Sequence, residues 1–242
     1  MSNYALITGG TQGIGFSAAT RLAKMGYNLL LTYRTDTIHA QQACAVLCEN
    51  YHVETTAIQA NSSDIQSIDR VVDQVVSRDI RPDVVLFNAG LTCRDPFDAM
   101  KMEDWERVFF ANIHFPVFLL QRLLPRINRG GSVIFTGSLM GILPHAQSLS
   151  YGVTKAAVHA LVKNLVKFLT PYQIRVNAVA PGFVDTGWHK NKPDGIRQSI
   201  ESKIAAGRFC DPDEIAGIYQ LLIENQYING EIIVADGGYA YQ

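Results

Sequence analysis

The stretch that most constrains this chain lies near its start. Tyr4 to Ile7 is a short apolar run, and T-G-G-T-Q-G-I-G follows at once over residues 8–15. Ile14, Ala18, Ala19, Leu22 and Met25 then recur at helical spacing until Gly26. A buried strand, a glycine turn and a helix in direct succession make a dinucleotide-binding element. Glycines let the backbone approach a pyrophosphate, and a helix N-terminus attracts its charge. Gly9, Gly13 and Gly15 are not spaced as G-x-G-x-x-G, so the strand and helix around them carry the reading.

The rest of the chain keeps the same alternation. Strands are predicted at Asn28–Tyr33, Val53–Gln59, Asp83–Phe87, Val133–Phe135, Gln173–Val179 and Ile232–Ala235. Between them helices are predicted over about Asp36–Tyr51, Asp64–Ile80 (capped near Asn61–Ser63), Glu103–Asn128 and Tyr151–Leu169. Asp211-Pro212-Asp213-Glu214 is a helix start with Asp as N-cap, Pro at the first position and Glu at the third, and it needs no chemical role. No linker, repeat or low-complexity stretch divides the chain, so residues 1–242 read as one α/β domain.

The end of the second strand bears on cofactor choice. An acid there would bind the ribose 2′-hydroxyl of NAD and repel a 2′-phosphate. This chain has Tyr33-Arg34-Thr35, with no carboxylate before Asp36. Arg34 suits a phosphate, so NADP(H) is favoured over NAD(H), although Gln12 adds no second charge in the glycine turn. Asn88-Ala89-Gly90 closes the fourth strand with small residues that let a cofactor lie close.

Two later features concern chemistry. Pro116 lies inside the predicted helix 103–128; it lacks an N–H and clashes with the carbonyl four residues earlier, that of Asn112. A kink is expected there, freeing the Asn112 oxygen to hold a water. Further on, Ser138 follows the strand Val133–Phe135, at the carboxyl end where open α/β sheets place ligands. Tyr151 and Lys155 are an i,i+4 pair on the next helix, so phenol and ammonium share a face. A nearby cation lowers a phenol's pKa from about 10 and fits it for proton transfer with an alcohol oxygen, which Ser138 can hold still. A lone Tyr-x-x-x-Lys is common on helices; the surrounding set gives this one its weight.

Charged residues make up 18% of the chain and hydrophobic ones 48%, enough for a large core. Net charge is −1 and no basic run occurs, so nucleic acid and anionic membranes are not expected partners. The start lacks the pattern of a signal peptide, no apolar run reaches spanning length, and Cys44, Cys48, Cys93 and Cys210 lack zinc-site spacing. A cytoplasmic protein with reduced cysteines is expected.

Taken in order, T-G-x-x-x-G-x-G at 8–15, N-A-G at 88–90, Asn112, Ser138, Y-x-x-x-K at 151–155 and P-G at 181–182 resemble the short-chain dehydrogenase/reductases, the single-domain branch that includes 3-oxoacyl-[acyl-carrier-protein] reductases. The resemblance runs from Thr8-Gly9 to Asp236-Gly237-Gly238. It implies a Rossmann-type doubly wound fold, a seven-stranded parallel sheet of order 3-2-1-4-5-6-7 with helices on both faces. Tyr151 would be the general acid/base, Lys155 would lower its pKa and bind the nicotinamide ribose, and Ser138 would orient the carbonyl or alcohol. Asn112 would hold a water in a proton relay to Lys155. The dinucleotide would meet Gly9, Thr11, Gln12, Gly13, Ile14 and Gly15, then Tyr33, Arg34 and Thr35, and Asn61 and Ser62 beyond the third strand. Farther along it would meet Asn88, Ala89 and Gly90, the Tyr151–Lys155 pair, and Pro181, Gly182, Val184 and Thr186, the last at the carboxamide. The likeness also implies a homotetramer, or a homodimer. Phe87, Asn61 and Ser150 depart from the family pattern of Asn, Asp and Asn.

The activity so implied is NADP(H)-dependent interconversion of a ketone and a secondary alcohol, with a small-molecule carbonyl or acyl thioester as substrate. An NAD(H)-linked sugar, polyol or hydroxysteroid dehydrogenase is the alternative. A Rossmann protein that senses NADP(H) without turnover is the alternative from another class. Met140, Leu143, Pro144, His145, Trp188 and Ile196 suggest a partly apolar pocket, with Met140, His145 and Trp188 as candidate substrate contacts. The segment at about 187–207 is a candidate lid. Neither His145 nor His114 sits in a metal-ligand pattern, and hydride transfer needs no metal.

Overall fold

The computed structural model describes residues 3–144, 146–190 and 192–241. Seven strands form one sheet: β1 Tyr4–Thr8, β2 Asn28–Tyr33, β3 Thr55–Gln59, β4 Val84–Phe87, β5 Ser132–Thr136, β6 Arg175–Pro181 and β7 Ile232–Ala235. Their order is β3-β2-β1-β4-β5-β6-β7, and every pairing is parallel. Both the order and the parallel sheet match expectation.

Alternation along the strands divides the core into two layers. Leu6, Val85, Phe87, Val133 and Phe135 point to one face, against Ile68 of α3 (Gln66–Ser77), Leu119 of α5 (Phe115–Leu123) and Val158 of α6 (Leu149–Leu169). Ala5, Ile7, Val84, Leu86 and Ile134 point to the other, against Ala18 of α1 (Gly13–Lys24), Leu47 of α2 (Thr37–Tyr51) and Ile215 of α8 (Pro212–Glu224). Strands buried on both faces read as continuous apolar runs, which is why they were legible. Fully burying one such Leu or Phe is worth about 1.5–3 kcal/mol. Phe87 packs on its register partner Phe135, the two rings tilted with centroids 4.9 Å apart.

Two further helices are α4 (Met102–Phe109) and α7 (Asp194–Glu201). The single helix predicted over Glu103–Asn128 is instead α4, a π-helical turn at Phe110–His114, and α5, which stops at Leu123. Pro116 gives no N–H to the Asn112 carbonyl, and the chain answers with a wider turn in which the Phe115 N–H reaches the Phe110 oxygen. The cap expected near Asn61–Ser63 is also absent: α3 starts after Ile65 without a side-chain cap, and the Asn61 oxygen accepts from the Ser63 N–H. The sixth strand runs two residues later than predicted, to Pro181. Asp211 forms the full capping box with Glu214. Among the described residues no helix is long and apolar enough to cross a membrane.

Candidate active site

At the carboxyl end of β1 the backbone itself shapes a cradle. Gly9 and Gly13 sit at φ +64° and +54°, in the left-handed region that favours glycine. A Cβ on Gly15 would lie 2.1 Å from the Gly9 oxygen and 2.6 Å from Asn88 Nδ2, so no side chain fits. Asn88 Nδ2 donates to the Thr8 and Gly9 carbonyls at 3.2 Å, and the Asn88 and Ala89 N–H groups donate to Thr8 Oγ1 at 3.0 Å, tying β4 to the turn. Gln12 precedes α1 without a side-chain cap, and no acid occupies the first turn, so the helix N-terminus presents its amides to an anion. These features fit a dinucleotide pyrophosphate. Thr11 is buried and Ile14 half-buried beside them. A Cβ on Gly13 would reach Thr186 Cγ2 at 3.3 Å, which brings the segment after β6 to the same cradle. There Gly182 N–H donates to the Ala235 oxygen at 2.9 Å, and Val184 bridges to Cys210.

Beyond β2, Arg34 and Thr35 are exposed and Tyr33 is half-buried. Arg34 has no carboxylate partner among the described residues; its carbonyl accepts from Gln59 Nε2 at 3.3 Å. Asp36, the first acid after the strand, is the N-cap of α2 and accepts from the His39 N–H at 2.9 Å. Asn61 and Ser62 follow β3, both half-buried.

The remaining residues meet at the carboxyl end of β5. Ser138 is buried and extended; its Oγ accepts from the Met140 N–H at 3.1 Å, and its side chain lies near the Tyr151 phenol. Ser148 caps α6, which fixes where Tyr151 enters. Lys155 is 4% exposed, lies over the Tyr151 ring at 5.4 Å from its centroid, and donates from Nζ to the Thr136 carbonyl at 2.7 Å. Burial alone holds Lys155 down at about 8. The expected lowering of the phenol by Lys155 is not what the geometry gives. Burial pushes Tyr151 above its ordinary value, and the nearby Ser138 hydroxyl opposes the rise. The ammonium faces the ring and the Thr136 carbonyl.

Asn112 stands in the π turn. Its side chain accepts from Leu91 N–H at 2.8 Å and donates to the Leu91 carbonyl and Thr154 Oγ1 at 2.9 Å, joining the 88–92 segment to α6. A Cβ on Gly90 would lie 3.5 Å from Asn112 Oδ1 and 3.6 Å from Lys155 Nζ, so these residues converge.

Of the candidate substrate contacts, Trp188 lies against Tyr151 with ring centroids 6.0 Å apart, and Met140 follows Ser138. His145 lies outside the described residues. The 187–207 segment contains α7 and is held by Arg197, which pairs with Asp185 and Glu201 and stacks on Phe209 at 4.3 Å. Sequence reasoning did not find Thr136, Thr154, His159, Arg197 or Tyr219. Only His159 carried a local signal, the step of four after Tyr151 and Lys155.

Sheet order and cradle together define a Rossmann-type dinucleotide-binding fold. Residues 9–240 match the family described as enoyl-(acyl carrier protein) reductase. The 3-oxoacyl-[acyl-carrier-protein] reductase FabG of Aquifex aeolicus is 30% identical over 238 residues, covering 97% of this chain and 96% of that protein. A short-chain dehydrogenase/reductase from Serratia marcescens superposes with TM-score 0.92 at 28% identity, over 98% of each chain. A short-chain dehydrogenase from Burkholderia cenocepacia in complex with NADP superposes with TM-score 0.91 at 28% identity, again over 98% of each. The chain belongs to the short-chain dehydrogenase/reductase family, whose members are NAD(P)-binding oxidoreductases acting on small molecules.

Proposed function

We propose that the protein is an NADP(H)-dependent carbonyl reductase that interconverts a ketone and a secondary alcohol, with a 3-oxoacyl thioester as substrate. The observation that carries this reading is the meeting of buried Ser138, the Tyr151 ring and buried Lys155, whose Nζ lies 5.4 Å from the ring centroid, at the sheet end where ligands bind. The chemistry a nicotinamide cofactor would bring when bound is hydride exchange with the carbonyl or carbinol carbon. Ser138 donates a hydrogen bond to the substrate oxygen and fixes its place. Tyr151 gives that oxygen its proton, and Lys155, with a water held by the Asn112 carbonyl, restores the proton from solvent. Lys155 would also bind the ribose, and Thr186 would meet the carboxamide. A general acid at oxygen suits C=O reduction better than reduction of a C=C bond, which needs its proton at carbon. The resemblance to 3-oxoacyl-[acyl-carrier-protein] reductases supports the thioester. Segment 187–207 acts as the lid, since Trp188 already rests on Tyr151. The assembly is a homotetramer, in keeping with exposed Phe118, Val153 and Phe168 on α5 and α6.

The NADP(H) preference rests on Arg34 having no carboxylate partner among the described residues and on Asp36 being held as a helix cap. A Burkholderia neighbour bound to NADP supports it. Arg34→Ala is expected to weaken NADPH binding about 10–100-fold, the worth of one charge-assisted contact, and to leave NADH within about twofold. Fluorescence titration of both cofactors on both proteins checks this. NADH binding as tightly as NADPH to the wild type would overturn the preference and favour an NAD-linked dehydrogenase.

A pH dependence follows from Lys155. Its value is lowered to about 8, so the charged form disappears as pH rises through that point. Reduction needs the proton, so kcat/KM for reduction is expected to fall about tenfold per pH unit above about 8, while oxidation does not fall there. A reductive profile that stays flat well above pH ~8 would contradict this.

A further inference from the structure

We propose that His159 is a positioning residue that holds the Ser138 backbone, and through it the Ser138 hydroxyl, on the Tyr151 phenol; this rests on the roles given above to Ser138 and Tyr151. β5 ends at Thr136, and Gly137 N–H still donates across to the Val179 oxygen of β6 at 2.7 Å. The next N–H, that of buried Ser138, has no strand partner. It donates to His159 Nε2 at 3.4 Å, and His159 is 9% exposed. Buried backbone N–H groups need an acceptor, and here a side chain supplies it. The fit is close, because a Cβ on Gly137 would lie 2.3 Å from His159 Nε2. The imidazole fills the place of a residue-137 side chain.

Tyr151, Lys155 and His159 succeed one another at i,i+4 spacing on α6. Lys155 Nζ takes the Thr136 carbonyl and His159 Nε2 takes the Ser138 N–H, so two adjacent turns grip the strand end on either side of Gly137. The Met140 N–H already occupies Ser138 Oγ as acceptor, which leaves the hydroxyl proton to point outward. With its backbone held as well, Ser138 has little freedom to leave the reacting oxygen. The acceptor role requires a neutral ring with its proton on Nδ1. Burial, with Lys155 and Lys163 nearby, keeps the ring neutral by pushing it down to about 4.

The test compares His159→Leu, which removes the acceptor, with His159→Gln, whose Oε1 reaches the same N–H, using NADPH and acetoacetyl-CoA. His159→Leu is expected to lower kcat about tenfold, with KM for NADPH within about twofold, and His159→Gln to recover most of the loss. A folded His159→Leu that keeps kcat within about twofold overturns the proposal. So does an equal loss in both variants, which would mean ring packing alone. Nitrogen-15 NMR of histidine-labelled wild type bound to NADPH decides the case if His159→Leu does not fold or the wild type does not turn over this thioester. An unprotonated, accepting Nε2 at neutral pH supports the proposal, and a proton on Nε2 overturns it. Ser138→Ala separates the two failures. If it retains full activity, the functional reading fails; if it is inactive while His159→Leu is not, only this inference fails.

Discussion

Tyr151→Phe is expected to lower kcat for ketone reduction by about 10²–10⁴-fold, the usual range for removing a general acid, with the Kd of NADPH changed less than about threefold. The substitution takes one oxygen and leaves the ring. Lys155 Nζ would still sit over the ring face and Trp188 would still pack beside it, because both contacts are to the ring rather than to the hydroxyl. Folding should be nearly unaffected for the same reason. What disappears is the phenol oxygen beside Ser138. Steady-state rates and a cofactor titration on one preparation separate chemistry from binding. A variant that keeps more than about half the wild-type kcat would place the proton donor elsewhere.

Gly15→Ala is expected to affect stability and cofactor binding together. Its Cβ would meet the Gly9 oxygen at 2.1 Å, the Gly9 carbonyl carbon at 2.9 Å and Asn88 Nδ2 at 2.6 Å. Two of these atoms are backbone, so the turn itself must open, and the bond from Asn88 to the Gly9 carbonyl goes with it. Overpacking of this kind costs about 1–3 kcal/mol, or a Tm lower by about 2–4 °C for each kcal/mol in a chain of this size. Affinity for NADPH should fall by at least about tenfold if the displaced turn is, as proposed, the one that approaches the pyrophosphate. Gly195→Ala is the control: nothing lies within 4 Å of its Cβ, and its φ is ordinary. Scanning fluorimetry and NADPH titration read both effects. Wild-type affinity in Gly15→Ala would mean that the turn does not touch the cofactor.

Much of this could be read from the chain because it is local. Glycines at fixed offsets, apolar runs and a step of four between Tyr151 and Lys155 are written within a few residues of one another. The register and the two-layer core came only with the strands paired in space. Pro116 told which carbonyl would lose its N–H, but not whether the helix would bend or widen. The π turn became visible only with Asn112 seen clasping Leu91 and Thr154, which lie 21 and 42 residues away. The Tyr151 phenol was misjudged because spacing gives its neighbours, while burial sets the cost of charging it. Thr136 with Tyr219, whose hydroxyls meet at 2.8 Å, and Ser138 with His159 are pairs made by packing between distant elements. No short window contains both members.

The measurement that tests the central claim most directly is NADPH consumption by the wild-type protein with acetoacetyl-CoA, run beside NADH and beside simple sugar, polyol and steroid substrates. The account expects thioester-dependent oxidation of NADPH, with NADH at least about tenfold less effective. Tight NADPH binding with no turnover of any carbonyl would contradict it and point to a cofactor-sensing role for the same fold.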